Sequence, residues 1–174
     1  MGKVLSNFDI GWPGAISRSI DDIVISKKNG GSTAIPFGAP VFLTADGEGV
    51  VAYDPDASPA QTFASFVGFA VRVANKTPDT YPVQQDMSSI RSDQSGVWNP
   101  KEPVEVLVRG TIAAATSVGF LPGGDVYLRV SDGALVPEAG EEGETFLLEN
   151  GKMRNPQGNN RPCSEVLITA RNIQ

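Results

Sequence analysis

The chain has 174 residues, 40% of them apolar and 20% charged, with 19 glycines, 13 prolines, one cysteine, no histidine and a formal net charge of −6. That length suits one domain able to bury roughly 70% of the surface its unfolded form exposes, and the glycine and proline content predicts a turn-rich fold. Without histidine or a second cysteine there is no Ser-His-Asp triad, Cys-His dyad, His-based zinc site or internal disulfide, and the acidity argues against nucleic acid or an anionic membrane as partner.

No apolar run approaches the roughly 18 residues of a membrane-spanning helix, so a soluble protein is expected. The lone Cys163 suits a reducing compartment or a particle assembled inside a cell.

Taken in chain order, residues 1–18 read as an extended arm. Phe8, Ile10, Trp12 and Ile16 lie among glycine and proline breaks with neither helical nor strand period. Such a segment cannot bury its large groups within itself, so it packs on its own domain or reaches a neighbouring subunit. Residues 19–174 are expected to form a single β domain. Ser19 to Ser26 is a strand closed by the turn Lys27 to Gly31. In Ile35 to Thr44 the prolines at 36 and 40 cannot donate to a ladder, which predicts a sheet edge or a strand start. Asp46 to Gly49 turns into Gly49 to Tyr53 as a hairpin, and Ser58 with Pro59 predicts one helical turn after the connector. Phe66 to Val73 is the next strand.

Between Ala74 and Lys101 no regular pattern holds, and a loop of such length is uncommon unless it binds something. Tyr81, Met87, Ile90 and Trp98 give this loop, at 75–100, apolar groups to bury, and Arg91 and Asp93 give it charge. Pro103 to Gly110 follows, with Val104, Val106 and Val108 alternating with Glu105, Leu107 and Arg109, a period of two that predicts a strand with one face inward. It leads through Gly110 into Thr111 to Thr116. Val126 to Val130, Leu135 to Val136 and Ser164 to Arg171 complete the strands, and Asn150-Gly151 between two short runs signals a type I′ hairpin. Glu138, Glu141, Glu142 and Glu144 make an acidic surface loop. About ten strands separated by turns point to an all-β sandwich or barrel.

The carboxylates at Asp46, Glu48, Asp54 and Asp56 do not have the spacing of a calcium-binding loop and read as solvated turn residues. Asp54 and Asp56 also sit in a poor place for a raised pKa, so acid–base catalysis is not expected of them.

The order of several segments is similar to that of a known family. Gly14 to Arg18 in the arm, Ile35 to Val41, Phe66 to Arg72, Val104 to Gly110 and Pro122 to Tyr127 together resemble the cement, or decoration, proteins of tailed-bacteriophage capsids. The resemblance implies a jelly-roll-like domain, made in the host cytoplasm, that sits on the outer surface of the virion and fastens neighbouring subunits. Its partners would be the major capsid protein and itself, as a homodimer or homotrimer, with no cofactor, metal or catalytic residue. The long loop and the glutamate-rich loop depart from the pattern. Phe8, Trp12 and Arg18 in the arm and Tyr81, Arg91 and Trp98 in the loop are the residues expected to make interactions. The alternative is a β-sandwich receptor- or carbohydrate-binding module of a phage particle, using Trp12, Trp98, Tyr53, Tyr81 and Tyr127 as aromatic platforms.

Overall fold

The computed structural model describes residues 13–17, 21–73, 96–116, 119–155 and 163–172. Turn residues cut the apolar runs into short strands: β1 (Ile23–Asn29), β2 (Ile35–Pro36), β3 (Pro40–Leu43), β4 (Gly49–Ala52), β5 (Phe66–Ala70), β6 (Val97–Trp98), β7 (Pro103–Ala115), β8 (Asp125–Arg129), β9 (Leu135–Val136), β10 (Thr145–Asn155) and β11 (Cys163–Ile168). The all-β class expected from the turn pattern holds.

β7 organises the rest. Its first half pairs antiparallel with β1, from Lys28 opposite Pro103 to Ile23 opposite Arg109, and with β5 at Phe69–Leu107 and Ala70–Val106. β1 also lies parallel to β4, β4 pairs with β3, and β3 pairs with β5. These pairings close a ring of five strands, β1-β4-β3-β5-β7. The second half of β7, Gly110 to Ala115, pairs with β11, which continues through β10 and β8 to β9. A bridge from Thr116 to Leu135 brings β9 back to the end of β7.

This arrangement changes the reading of β7. The period of two is kept, but both faces of its middle are covered. Val104, Val106 and Val108 enter one apolar cluster with Ile35, Val41 and Val50. Leu107, Ile112 and Ala114 enter a second, packed against Val126, Leu128, Leu148 and Ile168 of the other sheet. A one-face strand was expected because Glu105 and Arg109 interrupt the outer face, yet they fall where cover is incomplete: Arg109 is exposed and pairs with Asp21 at 2.5 Å. The second cluster holds an edge-to-face chain of Phe42, Phe66 and Phe69, with centroids 5.7 and 5.6 Å apart. Full burial stabilises each such side chain by about 1.5–3 kcal/mol.

Both prolines of Ile35 to Thr44 fall where a missing N–H costs nothing. Pro36 ends a two-residue ribbon with β6, and Pro40 opens β3. The β3–β4 hairpin forms as expected, its turn held by the Thr44 hydroxyl, which accepts from the Gly49 N–H at 3.0 Å. Other local expectations fail. β1 runs on to Asn29, so Lys27 to Asn29, expected in the closing turn, are strand, with Lys27 opposite Val104 and Lys28 opposite Pro103. The helical turn lies at Phe63–Ser65 rather than after Ser58, with Thr62 as its N-cap, where the Thr62 N–H donates to Ser65 Oγ at 3.1 Å. Asn150-Gly151 is no hairpin: β10 runs straight through it. The pair sits in an irregularity of the β8–β10 register between Leu147 and Lys152. Asn150 Nδ2 donates to Ala170 O at 2.8 Å, while the Asn150 backbone carbonyl accepts from the Thr169 N–H at 2.9 Å. Those tertiary bonds, together with a Gly151 φ outside the positive range that a type I′ turn requires, hold the chain extended.

Candidate docking surface

The described ends of the two segments selected for binding, the arm and the long loop, meet at Phe37-Gly38. On the arm side, Gly14 N–H donates to Ala113 O at 2.8 Å, Ser17 N–H to Thr111 O at 2.9 Å, and Ala113 N–H to Ala15 O at 2.9 Å. Ile16 bridges Ile112, so residues 13–17 extend β7 on the edge that β11 leaves free. Arg72 N–H donates to Gly14 O at 2.8 Å, and Gly38 N–H to Ala70 O at 2.7 Å. Gly14 and Gly38 both have positive φ, +81° and +75°, and a Cβ on Gly38 would stand 2.6 Å from Gly14 N. Only glycine permits these two backbones to touch while both adopt left-handed conformations.

The loop side is tied to the same place. Phe37 N–H donates to Gly96 O at 3.0 Å, and a Cβ on Gly96 would collide with the Phe37 ring at 2.2 Å. Trp98 is 3% exposed; its indole N–H donates to Val71 O at 3.0 Å and its ring meets Phe37 edge-on at 5.9 Å. Asn29, fully buried, donates Nδ2 to Trp98 O at 3.1 Å and to Thr33 O at 2.9 Å. The Arg72 guanidinium lies 5.7 Å from the centre of the Phe37 ring. Arm and loop therefore spring from one clasp built of Gly14, Phe37, Gly38, Arg72, Gly96 and Trp98.

Of the residues selected from the sequence, Phe8, Trp12, Arg18, Tyr81 and Arg91 lie outside the described residues. Trp98 is placed, and in this chain its side chain is spent on the core as the anchor of the loop's end. Gly14, Phe37, Gly38 and Arg72 were not singled out as site residues. All four lie within the segments that carry the family resemblance, but their contacts join positions far apart in sequence, and no local pattern announces them.

The remaining chemistry is structural. Asp46 accepts from the Thr44 hydroxyl at 2.5 Å and from the Glu48 N–H at 3.1 Å, which holds its carboxyl below the usual range. Asp54 accepts from the Asp56 N–H at 3.0 Å, a turn-capping bond that occupies one half of the carboxylate pair. The Arg129 guanidinium bonds both oxygens of Asp132, at 2.9 and 2.6 Å, and lowers its pKa. Burial pushes the Cys163 thiol up to about 11, leaving little thiolate near neutrality. Among the described residues no three of His, Cys, Asp or Glu converge to hold a metal ion. Tyr53 likewise turns inward, its hydroxyl donating to Val130 O at 2.8 Å. The glutamates at 138, 141, 142 and 144 are exposed on a loop that caps itself, Glu144 accepting from the Glu141 N–H at 3.1 Å.

Comparison with known proteins matches residues 2–162 to a family model described as structural cement protein (E217 gp24/Pam3 gp6). Among solved structures, a chain from the capsid of Myoviridae phage XM1 superposes with a TM-score of 0.67 at 15% identity, covering 96% of this chain and 95% of its own length. At that identity the likeness concerns the fold. No curated protein matches the sequence.

Proposed function

We propose, from the premise that this chain belongs to the structural cement protein family of phages, that it binds the outer face of the major capsid lattice and fastens neighbouring subunits. Family membership gives the chain a structural, capsid-stabilising role in the virion. The finer reading rests on one observation: the described ends of the arm and of the long loop meet at one clasp, which supports a common partner for the two segments. Phe8, Trp12 and Arg18 from the arm, with Tyr81 and Arg91 from the loop, supply the aromatic and arginine anchors that dominate protein interfaces. Trp98 contributes by fixing the loop's end. The net charge of −6 suits a face turned away from packaged DNA.

Cementing requires area and multiplicity rather than chemistry. An interface of about 1,600 Å² is a standard size for stable binding, and a homodimer or homotrimer touching several capsid subunits gains avidity without new contacts. A protein that binds only the expanded lattice stabilises it by mass action. Purified protein is therefore expected to bind expanded heads of its own phage and to raise their disruption temperature in a thermal-release assay. Heads that neither bind it nor gain thermal resistance would sink this reading.

A further inference from the structure

A groove of about 260 Å³ opens where β3 ends and β5 begins, floored by Ile25, Leu43, Val67 and Val108 and bordered by Lys27 and Arg171. These four apolar residues belong to the cluster that fills the five-stranded ring, while Phe66, which also lines the groove, belongs to the other, so the groove is an unfilled margin where the two cores adjoin. Lys27 stands there because of strand parity. Along β1 the half-buried positions are Ile23, Ile25 and Lys27, alternating with exposed Val24, Ser26 and Lys28, so Lys27 is a cation on the inward face. Among the described residues its ammonium bonds the Gly47 carbonyl at 3.2 Å and is paired with no carboxylate. Arg171 is held at the rim by its neighbour, since Asn172 Nδ2 donates to Phe63 O at 2.6 Å and to Phe66 O at 3.0 Å. No carboxylate lines the groove among the described residues, although acidic residues outnumber basic ones in the chain, 20 to 14.

We infer that this groove takes a capsid-side segment in which an aliphatic side chain stands next to a carboxylate, the aliphatic group on the valine and isoleucine floor and the carboxylate between Lys27 and Arg171. The inference rests on the cement reading and names a second contact of that same role. A cavity of roughly 150 Å³ is enough for a benzene-sized apolar guest, so the space admits a branched aliphatic side chain. Two cations over an apolar floor select for the combination, because a carboxylate without an aliphatic neighbour leaves the floor wet and an aliphatic group alone leaves the charges unmatched. The acidic loop of a second copy does not fit. From Pro137 to Glu144 it reads Pro-Glu-Ala-Gly-Glu-Glu-Gly-Glu, with no large aliphatic residue.

The test measures binding of the full chain to expanded heads lacking cement, comparing the unaltered protein with Arg171→Glu, the milder Arg171→Gln, and Lys28→Glu. The last makes the same charge change as Arg171→Glu on the outward face of β1. Arg171→Glu is expected to weaken binding about tenfold and Arg171→Gln less, both with a shallower salt dependence, while Lys28→Glu stays within about twofold of the unaltered protein. Equal binding by Arg171→Glu, or equal weakening by Lys28→Glu, overturns the inference while leaving the cement reading intact. So does a change in sedimentation of the free protein with unchanged head affinity, which would make the occupant a second copy. Should Arg171→Glu fail to fold, as judged by its thermal melt, Arg171→Gln decides by the same comparison. Failure of the unaltered chain to bind heads would remove the cement reading itself and the groove's partner with it.

Discussion

Gly68 shows how tightly two neighbouring strands of the ring are drawn together at a single residue. A Cβ there would lie 2.1 Å from the Leu107 carbonyl oxygen, a backbone atom at the centre of β7. Replacing a strand glycine with alanine ordinarily gains about 0.5–1 kcal/mol from the unfolded state. Here β5 and β7 would have to part, and overpacking of that kind costs about 1–3 kcal/mol. Gly68→Ala is therefore expected to lower the unfolding free energy in urea titration, with stabilisation as the outcome that contradicts the packing described. At this scale the sequence was legible only in part. The prolines at 36 and 40 announced their positions through the donor they lack, whereas Trp98 looked like an interface aromatic because nothing local distinguishes an anchor from a contact. Its partners, Val71 and Phe37, are 27 and 61 positions away, by subtraction of the residue numbers.

Among the elements, the described part of the arm is structural. Residues 13–17 belong to the β body, tied by four backbone hydrogen bonds, three to β7 and one from Arg72 to Gly14. On the proposed docking role of Phe8 and Trp12, removing residues 1–12 is expected to shift the thermal midpoint by no more than about 2 °C, while head binding falls about tenfold or more. Extending the deletion through residue 17 uncovers the edge of Thr111 to Ala113 and forfeits bonds worth about 0.5–1.5 kcal/mol each, so the midpoint should drop clearly. Calorimetry of the two truncations beside a pull-down on heads separates these outcomes, and a large midpoint shift in the shorter deletion would contradict a docking role for residues 1–12. Strand positions were readable from alternation and turn residues, and the β3–β4 hairpin from its Asp-Gly turn. Asn150-Gly151 misled because its turn signal is local, while the bonds from Asn150 to Thr169 and Ala170 that hold it extended come from the end of β11.

For the whole molecule, class and family were both accessible from the sequence. The absence of histidine and of a second cysteine narrows the chemistry at once, and the succession of five segments resembles cement proteins over a span that the family match, residues 2–162, largely covers. Ring closure was not accessible, since it depends on β1 lying beside β7 across some eighty residues, a pairing that no short-range pattern encodes. That shared strand also governs how the protein comes apart. β7 contributes Val104, Val106 and Val108 to one apolar cluster and Leu107, Ile112 and Ala114 to the other, so neither sheet can melt while leaving the other an intact wall. Loss of structure should be all-or-none: one calorimetric peak, with equal van't Hoff and calorimetric enthalpies, and, in a Trp12→Phe background, coincident transitions for Trp98 fluorescence in one cluster and backbone dichroism across both. Two separated transitions would show that the sheets are independent. A structural protein built this way is expected to have no half-unfolded form in which one sheet is lost while the other stays folded.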